Sequence, residues 1–513
     1  MPKTHKPQPG NRTLQPDLKH NLDELQRGMG NSSDLIFKEL TNNLGWTGAL
    51  LFIDGLADSV AIHHAIQDFL HIQSHNNTSE INESPVSFLS SKVITAGNTN
   101  ILKQSNEIYA SLLSGGIILL LEGSTECLSI IAEGWKDRSV SEPTSQSVVR
   151  GPMEAFTENI RTNTTLVRRK IKDPRLWVQE LKIGDVTQTN VAVMHIEGLA
   201  EQHIVDEVME RLNRIDIDGI LESGYVESFI QDKIYTPFPL IYNTERPDTI
   251  AAGLLEGRVA ILVDGTPFVL LVPALFVQFF QSAEDYYQRA DISTLLRMLR
   301  YISFFIAMLA PSIYIAITTF HQEMLPTGLL INLAAQREGV PFPAFVEAVL
   351  MEITFEILRE AGVRMPKTVG QAVSIVGTLV IGQAAVDAGI VSAAMVIIVS
   401  ITAISSFVIP AVNFSIAVRI LRFPLMGLSA SFGLLGILLG MMIIVLHLAT
   451  IKSFGVHYLH SFAPFNWRDQ KDTLFRAPWL WLKTRPSATG KLNRFRQKPH
   501  HWPTRNNEGG SGS

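Results

Sequence analysis

Cysteine is almost missing. Cys127 stands alone among 513 residues, which excludes a disulfide framework and any cysteine-built metal cluster. Its apolar neighbours suit a buried, inert thiol. The sequence also lacks a phosphate-cradling Gly-x-x-x-x-Gly-Lys loop, a Gly-x-Gly-x-x-Gly turn after a strand, a His-Glu-x-x-His helix and a Gly-x-Ser-x-Gly elbow. Nothing in it points to an enzyme or asks for a cofactor. An excess of positive charge is missing too. The 43 Lys and Arg face 48 Asp and Glu, a formal net charge of −5, so nucleic acid is not an expected partner. Near the N-terminus, Lys3, Lys6 and Arg12 are followed by no apolar run. A cleaved secretion signal is not expected, and the region that follows is expected to stay in the cytoplasm.

Charge itself is scarcest in residues 369–451, where Asp387, Arg419 and Arg422 are the only fixed charges. A soluble fold rarely sustains that, because its surface needs polar cover. Hydrocarbon accepts it. The chain average of 46% hydrophobic and 18% charged residues, with mean hydropathy +0.18, hides two unlike halves. The expected fold class is an α/β soluble N-terminal region of two subdomains followed by an all-α polytopic membrane domain.

What is present divides the chain further. Residues 1–33 are rich in Pro, Gly, Asn and Lys without apolar periodicity and read as a disordered tail. Residues 34–145 read as the first α/β subdomain, with strands at 48–53, 116–121 and 128–131 and a helix over 60–71. A polar stretch, 137–148, reads as a linker. Residues 146–298 read as the second subdomain: a basic helix over 153–171, strands at 177–183 and 191–196, and a helix over 205–214. The apolar run 258–272 is interrupted by Asp264-Gly265 among β-branched residues. Its arms are too short to span a bilayer as a helix, and the pattern predicts a β-hairpin. Residues 299–451 read as the membrane domain, and 452–513 as a basic cytoplasmic tail whose last five residues, Gly509-Gly-Ser-Gly-Ser513, resemble a flexible linker.

Within the membrane domain the apolar stretches are 301–320, kinked at Pro311, then 369–386, 390–409 and 425–449, with a shorter one at 410–422. Gly377, Gly382 and Gly389, and again Gly433, Gly436 and Gly440, allow close helix packing. The tail carries eleven Lys or Arg between 452 and 505. With a cytoplasmic start, this predicts an even number of crossings. Arg364 with Lys367, and Arg419 with Arg422, are further candidates for the cytoplasmic side, and no simple threading satisfies every cluster.

The segment 342–361 is the most informative. At 100° per residue Glu352, Glu356 and Glu360 fall on one helical face. Three carboxylates facing lipid would cost about 8–10 kcal/mol even on the lenient insertion scale. Such a helix either lies at the interface with a solvated acidic face, or lines water, where an acidic ring favours cations. Two smaller features stay open. His64, Asp68, His71 and His75 share a predicted helix face that is solvated or, less simply, a metal site. Arg168-Arg169-Lys170 is a solvated helix end or a contact for lipid headgroups or acidic partners.

Longer motifs carry a resemblance. Arg150-Gly-Pro-Met-Glu-Ala-Phe-Thr-Glu-Asn-Ile-Arg-Thr-Asn163, Leu166-Val-Arg-Arg-Lys-Ile171, Asn243-Thr-Glu-Arg-Pro-Asp248, Leu255-Glu-Gly-Arg258 and Val263-Asp-Gly-Thr-Pro267 resemble the N-domain signature of the GerA family of spore germination receptors. Pro341-Phe-Pro343, Glu347, Met351-Glu352, the run from Phe355 to Gly362, and Ser374-Ile-Val-Gly377 with Gly382-Gln-Ala-Ala385 and Ala388-Gly-Ile-Val391 fit the same family. The resemblance covers about residues 34–465. It implies the A subunit of a nutrient germinant receptor in the spore inner membrane, with the N-terminal region on the core side. It further implies a transporter-like, nutrient-binding B subunit and a lipoprotein C subunit as partners, contact with membrane lipid, and self-association, as a pentamer, into a nutrient-gated channel for monovalent cations. Glu352, Glu356 and Glu360 become pore-lining candidates. Asn243, Glu245, Arg246, Asp248 and Arg258 become candidates for coupling or subunit contact, against the plainer reading of a turn with local capping and ion pairs. The rival is a non-conducting scaffold like the stage V sporulation AF paralogue. A secondary transporter is disfavoured, because no repeated halves with paired broken helices are visible.

Overall fold

The structure, a computed structural model, describes residues 12–72, 84–93, 98–132, 134, 142–143, 146–364 and 382–497. The expected linker 137–148, the apolar stretch 369–386, His75 and Gly377 lie wholly or largely outside these residues.

The first subdomain runs α1 (Leu18–Gly28), β1 (Leu35–Thr41), β2 (Thr47–Ile53), α2 (Ser59–Leu70), α3 (Pro85–Phe88), β3 (Thr99–Leu102), α4 (Ser105–Leu112), β4 (Ile117–Leu121) and β5 (Cys127–Ile130). Its five strands form one antiparallel sheet in the order β1-β2-β4-β5-β3. The inner strands β2, β4 and β5 are almost wholly buried because both faces are covered. Ala49, Leu51 and Ile53 of β2 meet α1 and α4 on one side, and Leu50 and Phe52 meet α2 on the other. Alternation along a strand sends neighbours to opposite faces, so a continuous apolar run signals two helical covers. Cys127 is buried in this sheet, and burial pushes its thiol up to about 12.

The expected disordered tail is corrected over its described part. Residues 18–28 form α1, capped by Asp17, with Leu18, Leu22 and Leu25 in the core. The i, i+4, i+7 spacing of these leucines was the signal, masked by the polar residues between them.

The second subdomain runs α5 (Ile160–Lys170), β6 (Leu176–Ile183), β7 (Thr189–Ile196), α6 (Gln202–Asn213), α7 (Ser223–Ile230), β8 (Tyr242–Thr244), α8 (Pro247–Leu255), β9 (Val259–Val263) and β10 (Val269–Val272). The expected hairpin is β9–β10, with Leu270 opposite Ile261 and Val272 opposite Val259. The basic helix is shorter than the predicted 153–171, because Asn159 caps it, accepting from the amides of Arg161 and Thr162.

The sheet order here is β6-β7-β9-β10-β8, the order of the first sheet repeated. Once the topology is known, the repeat is legible in the sequence. Ile53-Asp-Gly-Leu-Ala-Asp58 matches Ile196-Glu-Gly-Leu-Ala-Glu201, and Gly115-Gly-Ile-Ile-Leu-Leu-Leu-Glu-Gly123 matches Gly257-Arg-Val-Ala-Ile-Leu-Val-Asp-Gly265. The paired glycines Gly55 and Gly198, Gly115 and Gly257, Gly123 and Gly265 all have φ between 77° and 89°, a conformation that side chains rarely adopt. The two subdomains are joined by Arg168, which is neither a solvated helix end nor a lipid contact. It is fully buried and pairs with Asp34 at 2.8 and 2.9 Å.

The helical part contains α9 (Ala290–Thr319), α10 (Thr327–Glu338), α11 (Ala344–Arg364), α12 (Gly382–Asp387), α13 (Ala393–Phe407), α14 (Val412–Phe432) and α15 (Leu434–Thr450). Helix α9 starts before the expected boundary at 299 and continues unbroken through Pro311. The stretches 410–422 and 425–449 divide differently from expectation. Helix α14 carries Pro424 inside it, and the break falls at Gly433, whose φ of 61° and ψ of −140° turn the chain back into α15. By length and composition, Ala290–Thr319 and Val412–Thr450 could each cross a membrane, and Ala393–Phe407 is apolar but shorter.

The segment after α15 is no loose tail over its described part. It forms the short strands β11 (Lys452–Ser453) and β12 (Val456–His457) and returns to the second subdomain. Phe454 and Val456 join that subdomain's core, and Lys491 pairs with Glu201 at 3.1 Å. Phe276, Phe279, Phe304, Phe414 and Tyr458 share another continuous core, which runs from the second sheet into the helices.

Candidate site at the junction of sheet and helices

Proline starts the site. Pro311 has no N–H for the carbonyl four residues back, so the Ala307 carbonyl lacks its helical partner. Arg422 of α14 takes it, its Nε donating at 2.7 Å, and pairs through Nη1 with Glu352 of α11. Three helices are tied by one buried guanidinium. Next to it, Arg419 pairs with Glu356. Glu360 is exposed and bonded to Arg364 of its own helix. The acidic face therefore grades from buried through half-buried to exposed. At the inner end Glu352 meets a guanidinium of the neighbouring helix. The charge of Glu352 is carried inside the protein because α14 brings a guanidinium to it. Arg419 and Arg422 are held among the helices by these pairs.

This network has unspent hydrogen-bonding capacity. Glu352 Oε1, Glu356 Oε1, Arg359 Nη1, Arg419 Nε and Arg422 Nη2 are buried without a partner, an unusual state for buried polar atoms. Earlier on α11, Glu347 is fully buried and accepts from the Ser392 amide at 2.6 Å, anchoring the start of α13. Beside this face, Val346, Ile353, Ile357 and Val363 of α11 are exposed.

The run Asn243-Thr-Glu-Arg-Pro-Asp248 forms the other half of the site. Tyr242–Thr244 is the edge strand β8, and Pro247 opens α8, where its missing N–H costs nothing. Arg246 is buried and grips Asp248 with two bonds of 3.1 and 2.8 Å. It also donates to the carbonyls of Gln146 and Pro152. Glu245 accepts from the Gln146 amide at 3.1 Å. The local ion pair expected of a turn is therefore present, but it reaches further: Tyr287, just before α9, donates to Asp248 at 2.7 Å. A cavity of about 320 Å³ touches Arg246 and Thr249 on the sheet side and Arg359, Phe407 and Ser415 on the helix side. Glu245, Arg246 and Asp248 thus share one network. Asn243 instead bonds Glu227, whose carboxyl burial pushes up to about 7, with Glu222 adding to the rise. Arg258 lies apart, buried beside Glu256 at 3.4 Å.

A third cluster was missed by sequence reasoning. Asp285 is buried and pairs with Arg297 at 3.2 Å and Arg300 at 2.7 Å, while Arg297 also reaches Asp472 at 3.1 Å. The signal was Arg297 and Arg300 one turn apart at the start of a long apolar helix. A domain boundary drawn at 299 cut between them. His63 and Gln67 interact on α2, and among the described residues no group of three or more His, Cys, Asp or Glu converges to hold a metal.

Comparisons with known proteins agree with the motifs. Residues 23–488 match the family model described as Bacillus/Clostridium GerA spore germination protein. Spore germination protein KA of Bacillus subtilis (strain 168) is 48% identical over 94% of this chain and 89% of its own. Spore germination protein B1 of the same organism is 39% identical over 94% of this chain and 99% of its own. The crystal structure of the N-terminal domain of the A subunit of the Bacillus megaterium spore germinant receptor GerK3 is 41% identical, covering 53% of this chain and all of that one, with a TM-score of 0.42. By the extent of the family match and the identity to these relatives, the chain belongs to the GerA family of spore germination proteins.

Proposed function

We propose that this protein is the A subunit of a nutrient germinant receptor in the spore inner membrane, and that copies of it assemble, as a pentamer with B and C subunits, into a nutrient-gated path for monovalent cations. The observation that carries the reading is the half-satisfied network of α11 and α14. Two carboxylates keep a buried oxygen without a partner, and their arginines neutralise them in this arrangement. A shift of α11 that lengthens these pairs would present two carboxylates to a pore, which favours cations. The exposed apolar side of α11 suits lipid or a neighbouring copy. Coupling would run through Arg246, Asp248 and Tyr287, which bind the sheet to the start of α9. Because the C-terminal segment returns to the soluble region, an even number of crossings is favoured, with both ends on the core side. No catalytic role is proposed.

The second reading, a non-conducting scaffold like the stage V sporulation AF paralogue, is favoured by the same pairing, since each buried carboxylate already has a counter-ion. A double substitution separates the two. Glu352→Gln alone leaves Arg422 buried and unpaired, at a cost of about 3–5 kcal/mol, and receptor abundance should fall. Glu352→Gln with Arg422→Met removes both charges and should restore abundance. Spores carrying the pair are then given nutrient and their cation release is followed. Slowed or cation-shifted release at normal abundance supports conduction past Glu352. Release indistinguishable from the unmodified receptor sinks the pore assignment and leaves the scaffold.

A further inference from the structure

A second cavity, which shares Tyr242, Thr249 and Gln281 with the one at the helix ends, lies between α8, the residues leading into α9 and the C-terminal segment. Its volume is about 380 Å³, within the range of small-molecule sites. Leu255, Leu271, Tyr286, Tyr287 and Trp479 supply apolar and aromatic walls, and three guanidiniums, those of Arg258, Arg485 and Arg496, line it. The acidic groups around it do not balance these cations. Asp248 is already held by Arg246, so Glu256 alone serves Arg258 at 3.4 Å and Arg496 at 2.9 Å. Arg485 is held by backbone carbonyls, those of Leu255, Asn493 and Phe495.

Arg258 is the decisive group. Its side chain is 4% exposed, and its Nε and Nη1 have no hydrogen-bond partner. A buried guanidinium left in that state is expensive. The fold does not require it: the matching position of the first subdomain is Gly116, after the same left-handed glycine and before the same buried strand. The second subdomain therefore carries an arginine that its twin does without, at the wall of this cavity.

We infer that this cavity binds an oxyanion carried on an apolar body, a phosphate-bearing amphiphile, with Arg258 as the principal anion contact. Three guanidiniums against one carboxylate suit phosphate better than a single carboxylate. The apolar walls hold the rest of the molecule. The cavity lies where α9 begins, so the phosphate has two natural sources, the headgroup of an anionic membrane lipid or a soluble phosphorylated compound. The site stands whether or not the protein conducts ions.

The test uses the full chain in a neutral detergent. Dioctanoyl phosphatidylglycerol, dioctanoyl phosphatidylcholine and phenyl phosphate are titrated separately, with tryptophan emission and the thermal midpoint as readouts. Trp479→Phe identifies the optical signal from the cavity wall. Saturable binding of phosphatidylglycerol or phenyl phosphate is expected, with affinity about tenfold lower in Arg258→Gln, as the loss of one charge-assisted contact implies. Ala252→Phe, an exposed position that lines the cavity, fills the space without touching the arginines and should abolish binding in a folded protein. Of the two anions, the one that binds more tightly names the source. The inference is overturned if neither anion binds saturably, if phosphatidylcholine binds as tightly as both anions, or if Ala252→Phe binds with unchanged affinity.

Discussion

Glu352 and Arg422 lie 70 residues apart, and nothing in the local sequence of either names the other. A helical wheel could say that Glu352, Glu356 and Glu360 share a face. It could not say which of them a neighbouring helix would neutralise, because that depends on how α14 is turned against α11. Charges on one helix are legible; their partners on another are not. Glu227 illustrates the same limit and yields a prediction. Its carboxyl is raised from an ordinary value near 4.5 to about 7, first by burial and then by Glu222. The fold thus favours the protonated form. The stability this contributes is fully present below about pH 4.5 and is lost as pH climbs through about 7, roughly 3 kcal/mol in all. Thermal unfolding followed from pH 4.5 to pH 8 should show that decline, and Glu227→Gln should flatten it. An equally steep decline in the variant would mean that another group carries the pH dependence.

At the scale of elements, continuous apolar strands, the Asp264-Gly265 hairpin and most of the second subdomain were legible because alternation, turn residues and caps are local signals. The helical boundaries were less so. Apolar runs announce hydrocarbon but not where a helix ends, and the break between α14 and α15 falls at Gly433, not at the arginine cluster or at Pro424. Its backbone conformation is open almost solely to glycine, and a Cβ there would meet Phe320 at 3.0 Å and His321 at 2.7 Å. Gly433→Val should therefore cost several kcal/mol on the order of 2–4 and reduce the amount of receptor recovered from membranes, whereas Gly427→Val on α14, with open space around it, should not. Equal recovery of the two variants would show that the turn at Gly433 does not constrain the fold. Pro311 shows the opposite effect. Pro311→Ala restores the intrahelical bond to Ala307 and so competes with Arg422 for that carbonyl. The substitution that improves α9 alone is expected to loosen its grip on α14.

At the scale of the whole molecule, the two-part architecture is readable from charge distribution alone, but the duplication inside the soluble part becomes plain only when the two sheet orders are compared. Apolar strands tolerate so many exchanges that only the glycines and their acidic neighbours keep the repeat visible. The C-terminal segment was the larger miss. It read as a basic cytoplasmic tail, with no sign that Phe454 and Tyr458 would be fully buried or that Asp472 would accept from Tyr286 and Arg297. In membrane vesicles, a protease site placed after residue 497 should be cut from the same side as one placed before residue 12. Cutting from opposite sides would contradict a segment folded onto the soluble region.

That return has a consequence in time. The soluble region and every helix described are synthesised before Asp472 leaves the ribosome. At about 5–20 residues per second, the helices have seconds in which to enter the bilayer while Arg297 waits for its second carboxylate. The junction is closed last, by the part of the chain made last. A chain interrupted before Asp472 would lack the carboxylate that joins Tyr286 and Arg297, and that seam would stay open.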